Sequence, residues 1–312
     1  MTEILHPGLY VHVPFCKTKC PYCDFFSGTS LSSIPDWLEA VKREMPLYKD
    51  RFTRFDSLYL GGGTPSLLPE RDLADLLFHL RSHFLFAVDT EYTLEVNPDD
   101  VTSDKLTFLR DLGVNRISLG VQSFDDRDLC FLKRRHSADQ AVQALHESKS
   151  AAFAKVGLDL MYGLPGQTES SWMKTLEQAV RFNPEHISCY QLTVHEGTPF
   201  WSLQAKGGIT PLGEDEESVF FMRASAFLED NGYLHYEVSN FARGEENLCR
   251  HNLKYWRRFP YLGLGPSAHS HQGGVRWWNL RDLEGYCRAL TNGDPPVAGS
   301  ETLTPEQVYL ET

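Results

Sequence analysis

The sequence predicts an α/β fold built on a parallel sheet. Three features predict it: six short apolar, β-branched runs, longer amphipathic stretches between them, and polar or glycine-rich turns where the runs end. Alternation of this kind calls for right-handed crossovers. It leaves open whether the sheet is doubly wound or curls into a full or partial barrel.

The strands are expected at residues 9–13, 57–60, 92–96, 116–121, 155–161 and 186–192. The helices between them fall at 34–48, 70–83, 103–111, 125–132 with 138–148, and 169–181. Residues 214–231 read as a further long helix closed by Gly232. Beyond it, residues 233–271 read as an irregular region with short strands. Residues 293–299 contain Asp294, Pro295 and Pro296 and read as a linker. Thr304, Pro305 and Gln307 then form a helix start: an N-cap, a proline at the first helical position and a glutamine at the third. A helix this close to the chain end is marginal without partners, so the sequence is expected to stop at the start of a truncated terminal domain. The expected organisation is a barrel unit over 1–232, an extension over 233–292, and a linker with the first residues of that domain over 293–312.

Composition narrows the function classes. The 312 residues are 41% apolar, enough for a large core. Thirty basic against 42 acidic residues give a net charge of −12, which disfavours a nucleic-acid partner. The consecutive Lys133, Arg134 and Arg135 still allow a local basic patch. No apolar run approaches the ~20 residues that span a bilayer, and residues 1–8 lack the pattern of a leader peptide. The expectation is a soluble cytoplasmic protein with no integral membrane segment. Seven cysteines, an odd and uneven set, argue for metal binding over a disulfide framework.

Cys16, Cys20 and Cys23 form a C-x3-C-x2-C run directly after the first strand. Three thiolates on one loop can converge on one centre and leave a coordination position open. Structural zinc ordinarily takes four ligands, often as two C-x2-C pairs, and no second pair exists. A [4Fe–4S] cluster on three cysteines keeps one iron for a ligand. Spacing alone leaves cluster, zinc and no metal open, with the cluster favoured. Gly61, Gly62, Gly63, Thr64 and Pro65 follow the second strand. Such a run lets backbone approach a ligand closely, or makes a tight turn, and it lacks the Gly-Lys-Ser/Thr ending of a phosphate loop. Polar residues recur at the other strand exits: Glu95 and Asn97, Gln122 and Ser123, Asp159, Gln191 and Thr193. In α/β barrels that rim carries the active site.

Tyr10-Val11-His12-Val13-Pro14-Phe15-Cys16 with its cysteine run resembles the opening of radical S-adenosylmethionine (SAM) enzymes. The set Gly61–Pro65, Glu95-Val96-Asn97-Pro98, Gly120-Val121-Gln122-Ser123, Asp159 through Pro165 and Tyr236 through Ala242 is similar to the coproporphyrinogen oxidase and heme chaperone branch of that superfamily. The resemblance covers nearly the whole chain and implies a partial TIM barrel of six βα units. It implies a [4Fe–4S] cluster on Cys16, Cys20 and Cys23. It also implies SAM contacts from Tyr10, Tyr22, Gly62, Gly63, Thr64, Glu95, Gln122, Arg134 and Asp159, with Thr193 and His269 matching less closely. Oxygen-independent coproporphyrinogen III oxidases carry a further cysteine two residues after the third ligand, where this chain has Phe25. The stretch His251-Asn252-Leu253-Lys254-Tyr255-Trp256 is similar to the H-N-x-x-Y-W motif of HemW-type heme chaperones. It makes His251, Asn252, Tyr255 and Trp256 heme-binding candidates, with histidine the natural axial ligand.

The resulting expectation is a heme chaperone that holds a cluster and SAM, carries heme as cargo, and meets a client protein and an electron donor. The competing expectations are oxidative decarboxylation of coproporphyrinogen III and a radical SAM methyltransferase. The ligand set does not say whether SAM is cleaved, because fold and cofactor do not fix function. Whether the chain is an enzyme is therefore open at this level.

Overall fold

A computed structural model describes residues 6–310. The first five residues, part of the segment read for a leader, and residues 311–312, the end of the expected start of a terminal domain, lie outside the described residues. The chain opens with β1 (Gly8–Val13), α1 (Ile34–Glu44), β2 (Arg54–Gly62), α2 (Glu70–His83) and β3 (Leu85–Val96). It continues with α3 (Ser103–Asp111), β4 (Arg116–Gln122), α4 (Asp126–Phe131), α5 (Ala138–Ser150), β5 (Lys155–Tyr162), α6 (Glu169–Arg181) and β6 (His186–Gln191). These six strands pair in parallel and in sequence order.

The pleat sorts the side chains. Leu9, Val11, Leu58, Leu60, Leu94, Ile117, Leu158 and Ile187 are buried in one cluster with Trp37, Leu76, Leu109, Leu145 and Leu176 of the helices. Successive residues of a strand face opposite ways, so Tyr10, His12, Tyr59, Glu95, Ser118, Asp159 and Tyr190 share the other face, around a cavity. Each strand is thus helix-packed on its apolar side and polar on the other. Residue types also place the helix ends. Ser137 caps α5 in a capping box with Gln140, and Thr102 and Thr168 cap α3 and α6.

The elements after β6 are more ordered than the sequence suggests. They are α7 (Pro199–Ala205), α8 (Glu214–Asp230), β7 (Leu234–His235), β8 (Asn240–Ala242), α9 (Arg250–Trp256), β9 (Tyr261–Leu264), β10 (His269–Gln272), β11 (Val275–Asn279), α10 (Leu283–Asn292), β12 (Val297–Thr302) and α11 (Pro305–Leu310). β8 and β7 extend one edge antiparallel from β6, while β9 joins β1 in parallel and β10 to β12 continue beyond it, making twelve strands. Residues 233–271 carry the expected short strands, but they are not otherwise irregular: α9 lies among them and β9 covers the edge of β1. β9 lacks alternation because it is buried throughout. α7, β11 and α10 went unread, and Val297 to Thr302, partly within the expected linker, pair with β11. β3 is also longer than expected. Leu85 and Phe86 pair with Arg54 and Phe55 before a register shift, in a stretch whose Asp89 and Glu91 hide the strand pattern. No helix among the described residues is long and apolar enough to cross a membrane.

The C-terminal elements are tied to the first helix by a buried carboxylate. Glu44 of α1 accepts hydrogen bonds from Tyr286 Oη (2.5 Å), Asn279 Nδ2 (2.6 Å) and Gly265 N (2.8 Å). Burial pushes Glu44 up to about 7, so desolvation outweighs the three donors. Tyr286→Phe removes one donor from a group with no water to replace it. It is expected to lower unfolding free energy by about 1–3 kcal/mol, read from the midpoint of urea denaturation.

Candidate cluster and cofactor site

The cysteine loop is shaped by backbone bonds. Gly28 N donates to Pro14 O and Cys16 N to Gly28 O, both at 2.9 Å, so the segment between leaves and returns at one place. Phe15 anchors its start edge-on against Trp37, with ring centroids 5.7 Å apart. Cys16, Cys20 and Cys23 are half-buried free thiols on a cavity of about 910 Å³. Thr64 Oγ1 lies 3.6 Å from Cys16 Sγ, and Arg134 Nη1 lies 3.6 Å from Cys20 Sγ. Burial pushes the Cys23 thiol up to about 11.

Among the described residues, no three His, Cys, Asp or Glu side chains converge as they would on a single ion. A zinc ion draws its ligands to about 2.0–2.3 Å. A cluster takes each thiolate on a different iron, so the sulfurs stay apart. The thiols, with a hydroxyl and a guanidinium as sulfur donors, fit the cluster better than zinc. The lone cysteines lie elsewhere: Cys130 is exposed, and Cys189 and Cys249 are buried.

The glycine turn holds the loop. Gly63 N donates to Val13 O (2.8 Å) and Thr64 N to Phe15 O (2.7 Å). A Cβ on Gly63 would stand 2.6 Å from Phe15 O, and one on Gly62, whose φ is +106°, would meet the His12 ring at 2.5 Å. Both glycines line the cavity, but their missing side chains make room for protein. Of the two readings that the run allows, the tight turn describes Gly62 and Gly63 as packed here.

The polar floor is a connected set. Glu95 accepts from Tyr59 Oη (2.9 Å) and Gly62 N (3.1 Å). Ser118 Oγ donates to Asp159 (3.1 Å). Burial, reinforced by the Asp159 carboxylate, pushes Glu95 up to about 7, and burial pushes Asp159 up to about 6. Arg134 donates to Asn97 Oδ1 (2.5 Å) and Gly120 O (2.8 Å), while its buried Nε has no partner. A cation with an orphaned donor and no carboxylate partner among the described residues is ready to take an anion. Its neighbour Arg135 pairs with Asp99 at 2.6 Å, and Lys133 is exposed, so the basic triplet is split three ways. Gln122 has φ +68° at a register shift in β4, an uncommon conformation for its residue type.

All twelve residues expected at the cluster and at SAM line this one cavity: Cys16, Cys20, Cys23, Tyr10, Tyr22, Gly62, Gly63, Thr64, Glu95, Gln122, Arg134 and Asp159. The heme candidates divide. Tyr255 lines it and keeps 40% of its surface accessible. His251 does not: it is 1% exposed beneath Tyr59, with Nδ1 3.1 Å from Ser57 Oγ and Nε2 2.9 Å from Tyr255 Oη. Burial pushes His251 down to about 3. Asn252 is off the cavity, and Trp256 is exposed away from it. Lys254 of the same helix is buried on Asp56 at 2.7 Å, so α9 is fastened below the floor. Sequence reasoning assigned no role to His12, whose Nε2 donates to Phe26 O (2.7 Å) and whose Nδ1 accepts from Tyr10 Oη (3.0 Å). It likewise gave none to Asn97, which joins Thr64 to Arg134. Their places beside Tyr10 and Glu95 in the quoted motifs were the available signal.

A parallel sheet with three cysteines on the loop after β1 and an unpaired arginine facing them defines a protein class, and comparison agrees. Residues 10–179 match the family model of the radical SAM superfamily, and the chain belongs to that superfamily. Heme chaperone HemW of Mycobacterium tuberculosis is 38% identical over 97% of this chain and 79% of its own. The proteins of that name from Synechocystis and Bacillus subtilis are 34% and 33% identical, over 100% and 97% of this chain and 77% and 80% of theirs. Within the superfamily, the chain therefore belongs to the HemW family. The radical SAM coproporphyrinogen III oxidase HemN of Escherichia coli superposes with a TM-score of 0.84 and 26% identity, over 98% of this chain and 74% of that one.

Gly63→Ala is expected to fold yet hold less iron after anaerobic reconstitution, since its Cβ displaces the cysteine loop. Gly28→Ala is the control in the same loop, with nothing within 4 Å of its Cβ and iron content unchanged. Glu95 gives a pH signature. Its folded pKa of about 7 stands above the ordinary 4.5, so its stabilisation is complete below the latter and lost as pH rises through the former. Glu95→Gln is expected to make the decline of Tm over that interval shallower than in the wild type.

Proposed function

We propose that this chain is a heme chaperone that holds a [4Fe–4S] cluster on Cys16, Cys20 and Cys23, binds SAM beside it, and passes heme to a client protein. The observation that carries this reading is one cavity lined by three half-buried thiols and a half-buried arginine whose Nε has no partner. The 33–38% identity to proteins named heme chaperone supports heme as the cargo. The six sequential parallel strands, all contributing to one cavity, support reading residues 1–232 as a partial barrel. Residues 233–292 are its extension in this proposal, and the cytosol is its site of action, with an electron donor for the cluster.

Cluster and SAM together supply one-electron chemistry when bound. In this proposal the chain's residues hold and orient them. Arg134 takes the SAM carboxylate, for which its free Nε is suited. Thr64 and Arg134 donate to cluster thiolates. Glu95 and Asp159, raised by burial, face the adenosyl moiety, and Tyr10 and Tyr22 shield the loop. Gln122 completes the adenosyl side.

Reconstituted protein is expected to hold about four irons per chain, as one [4Fe–4S] centre requires. Each of Cys16→Ala, Cys20→Ala and Cys23→Ala loses most of it, and Cys130→Ala does not. Stoichiometric zinc with no cluster would sink the reading. The same protein is expected to bind heme and release it to an apo-hemoprotein. Decarboxylation of coproporphyrinogen III with SAM and reductant, in a protein that binds no heme, would award the site to the oxidase reading.

A further inference from the structure

We infer that heme iron is ligated by His269 at the mouth of the cavity, with Arg281 receiving a propionate and Phe25 lying against the macrocycle. This inference rests on the heme reading above and names the residues that serve it. An axial ligand needs a ring nitrogen free to face the iron. His251 has both nitrogens in hydrogen bonds below the cavity floor, and His12 has both engaged by Tyr10 and Phe26. His269, at the start of β10, is exposed on the cavity, and its ring nitrogens have no hydrogen-bond partner among the described residues. Its ring stacks on Trp278, with centroids 5.9 Å apart and 26° between planes, which fixes its orientation. Partial desolvation beside the cavity wall and the charges of Arg276 and Arg281 hold its pKa below the ordinary value, which favours the neutral imidazole with its lone pair available.

The surroundings match a porphyrin. Phe25 is 66% exposed on the cavity, an apolar ring that gains by being covered. Arg281 donates through Nη2 to Asp24 Oδ1 at 2.8 Å and to Asp24 O, leaving Nη1 and Nε for a second carboxylate. Asp24 and Phe25 follow Cys23 directly, so the mouth is walled on one side by the cysteine loop and on the other by the β9–β11 segment. A heme seated there meets the cavity without entering the floor of Glu95 and Asp159.

The test titrates ferric heme into anaerobically reconstituted protein and reads its ligation by electron paramagnetic resonance and resonance Raman spectra, with iron content as the check on fold. The wild type is expected to show a histidine-ligated heme. His269→Gly loses that signature and regains it with added imidazole, while His195→Ala, altering the other cavity histidine whose ring has no hydrogen-bond partner among the described residues, keeps it. Arg281→Gln weakens binding of heme and not of its dimethyl ester, which has no propionate charge. Retention of the signature in His269→Gly, or its loss in His251→Gln or His195→Ala alone, overturns the inference and leaves the heme reading standing. A wild type that binds no heme overturns both.

Discussion

Everything else in the structure depends on the two-sidedness of the six parallel strands. A strand buried on both faces is ordinarily apolar on both. Here only the helix-facing side is. The other side carries Tyr10, Tyr59, Glu95, Ser118 and Asp159, which must satisfy one another because burial is costly for each. The carboxylates answer that cost with hydroxyl and backbone donors and with raised pKa values, whereas Arg134 keeps an orphaned donor. The apolar side provides stability, and that surplus allows a polar, incompletely satisfied floor.

The cysteine loop is the second consequence. It starts at the carboxyl end of β1, where the polar face meets solvent, and is held at its start by backbone bonds from the glycine turn after β2. Cluster loop and glycine turn are therefore one unit, and a change in either reaches the other. His12 strengthens the unit by reaching from β1 to Phe26 O near the loop's end. The segment from β9 to α10 holds the cysteine loop from outside through Arg281 on Asp24, and holds α1 through Gly265 and Tyr286 on Glu44. Its integration in the main sheet makes it part of the site's wall.

The H-N-x-x-Y-W stretch shows how a motif and its geometry can part. Its resemblance to the heme chaperone motif implies an axial histidine, yet α9 packs against β1 and β2 with His251 and Lys254 inward. The motif's contribution to the cavity is Tyr255, positioned by His251. In the proposed heme site, iron ligation falls to a histidine outside the motif, on β10 at the mouth of the cavity.

The sequence by itself determined the six strands, the parallel sense of their sheet, the three thiols and the polar residues at the strand exits. Those follow from local patterning: apolar runs, turn residues and cysteine spacing act within a few residues of themselves. It also pointed to Arg134 and Asp159, through resemblance to a family whose motifs this chain repeats, and both line the cavity. Only the tertiary structure decided which side each of these residues faces and what already occupies its neighbours. Gly62 and Gly63 look like openings for a ligand until packing fills their missing side chains with His12 and the Phe15 backbone. His251 looks like a ligand until Ser57, 194 positions away, takes one of its nitrogens. β9 is short and everywhere buried, so it shows no period, and its pairing with β1 is a contact between chain ends. Hydrogen-bond satisfaction and close packing are non-local, and one-dimensional spacing carries no record of them.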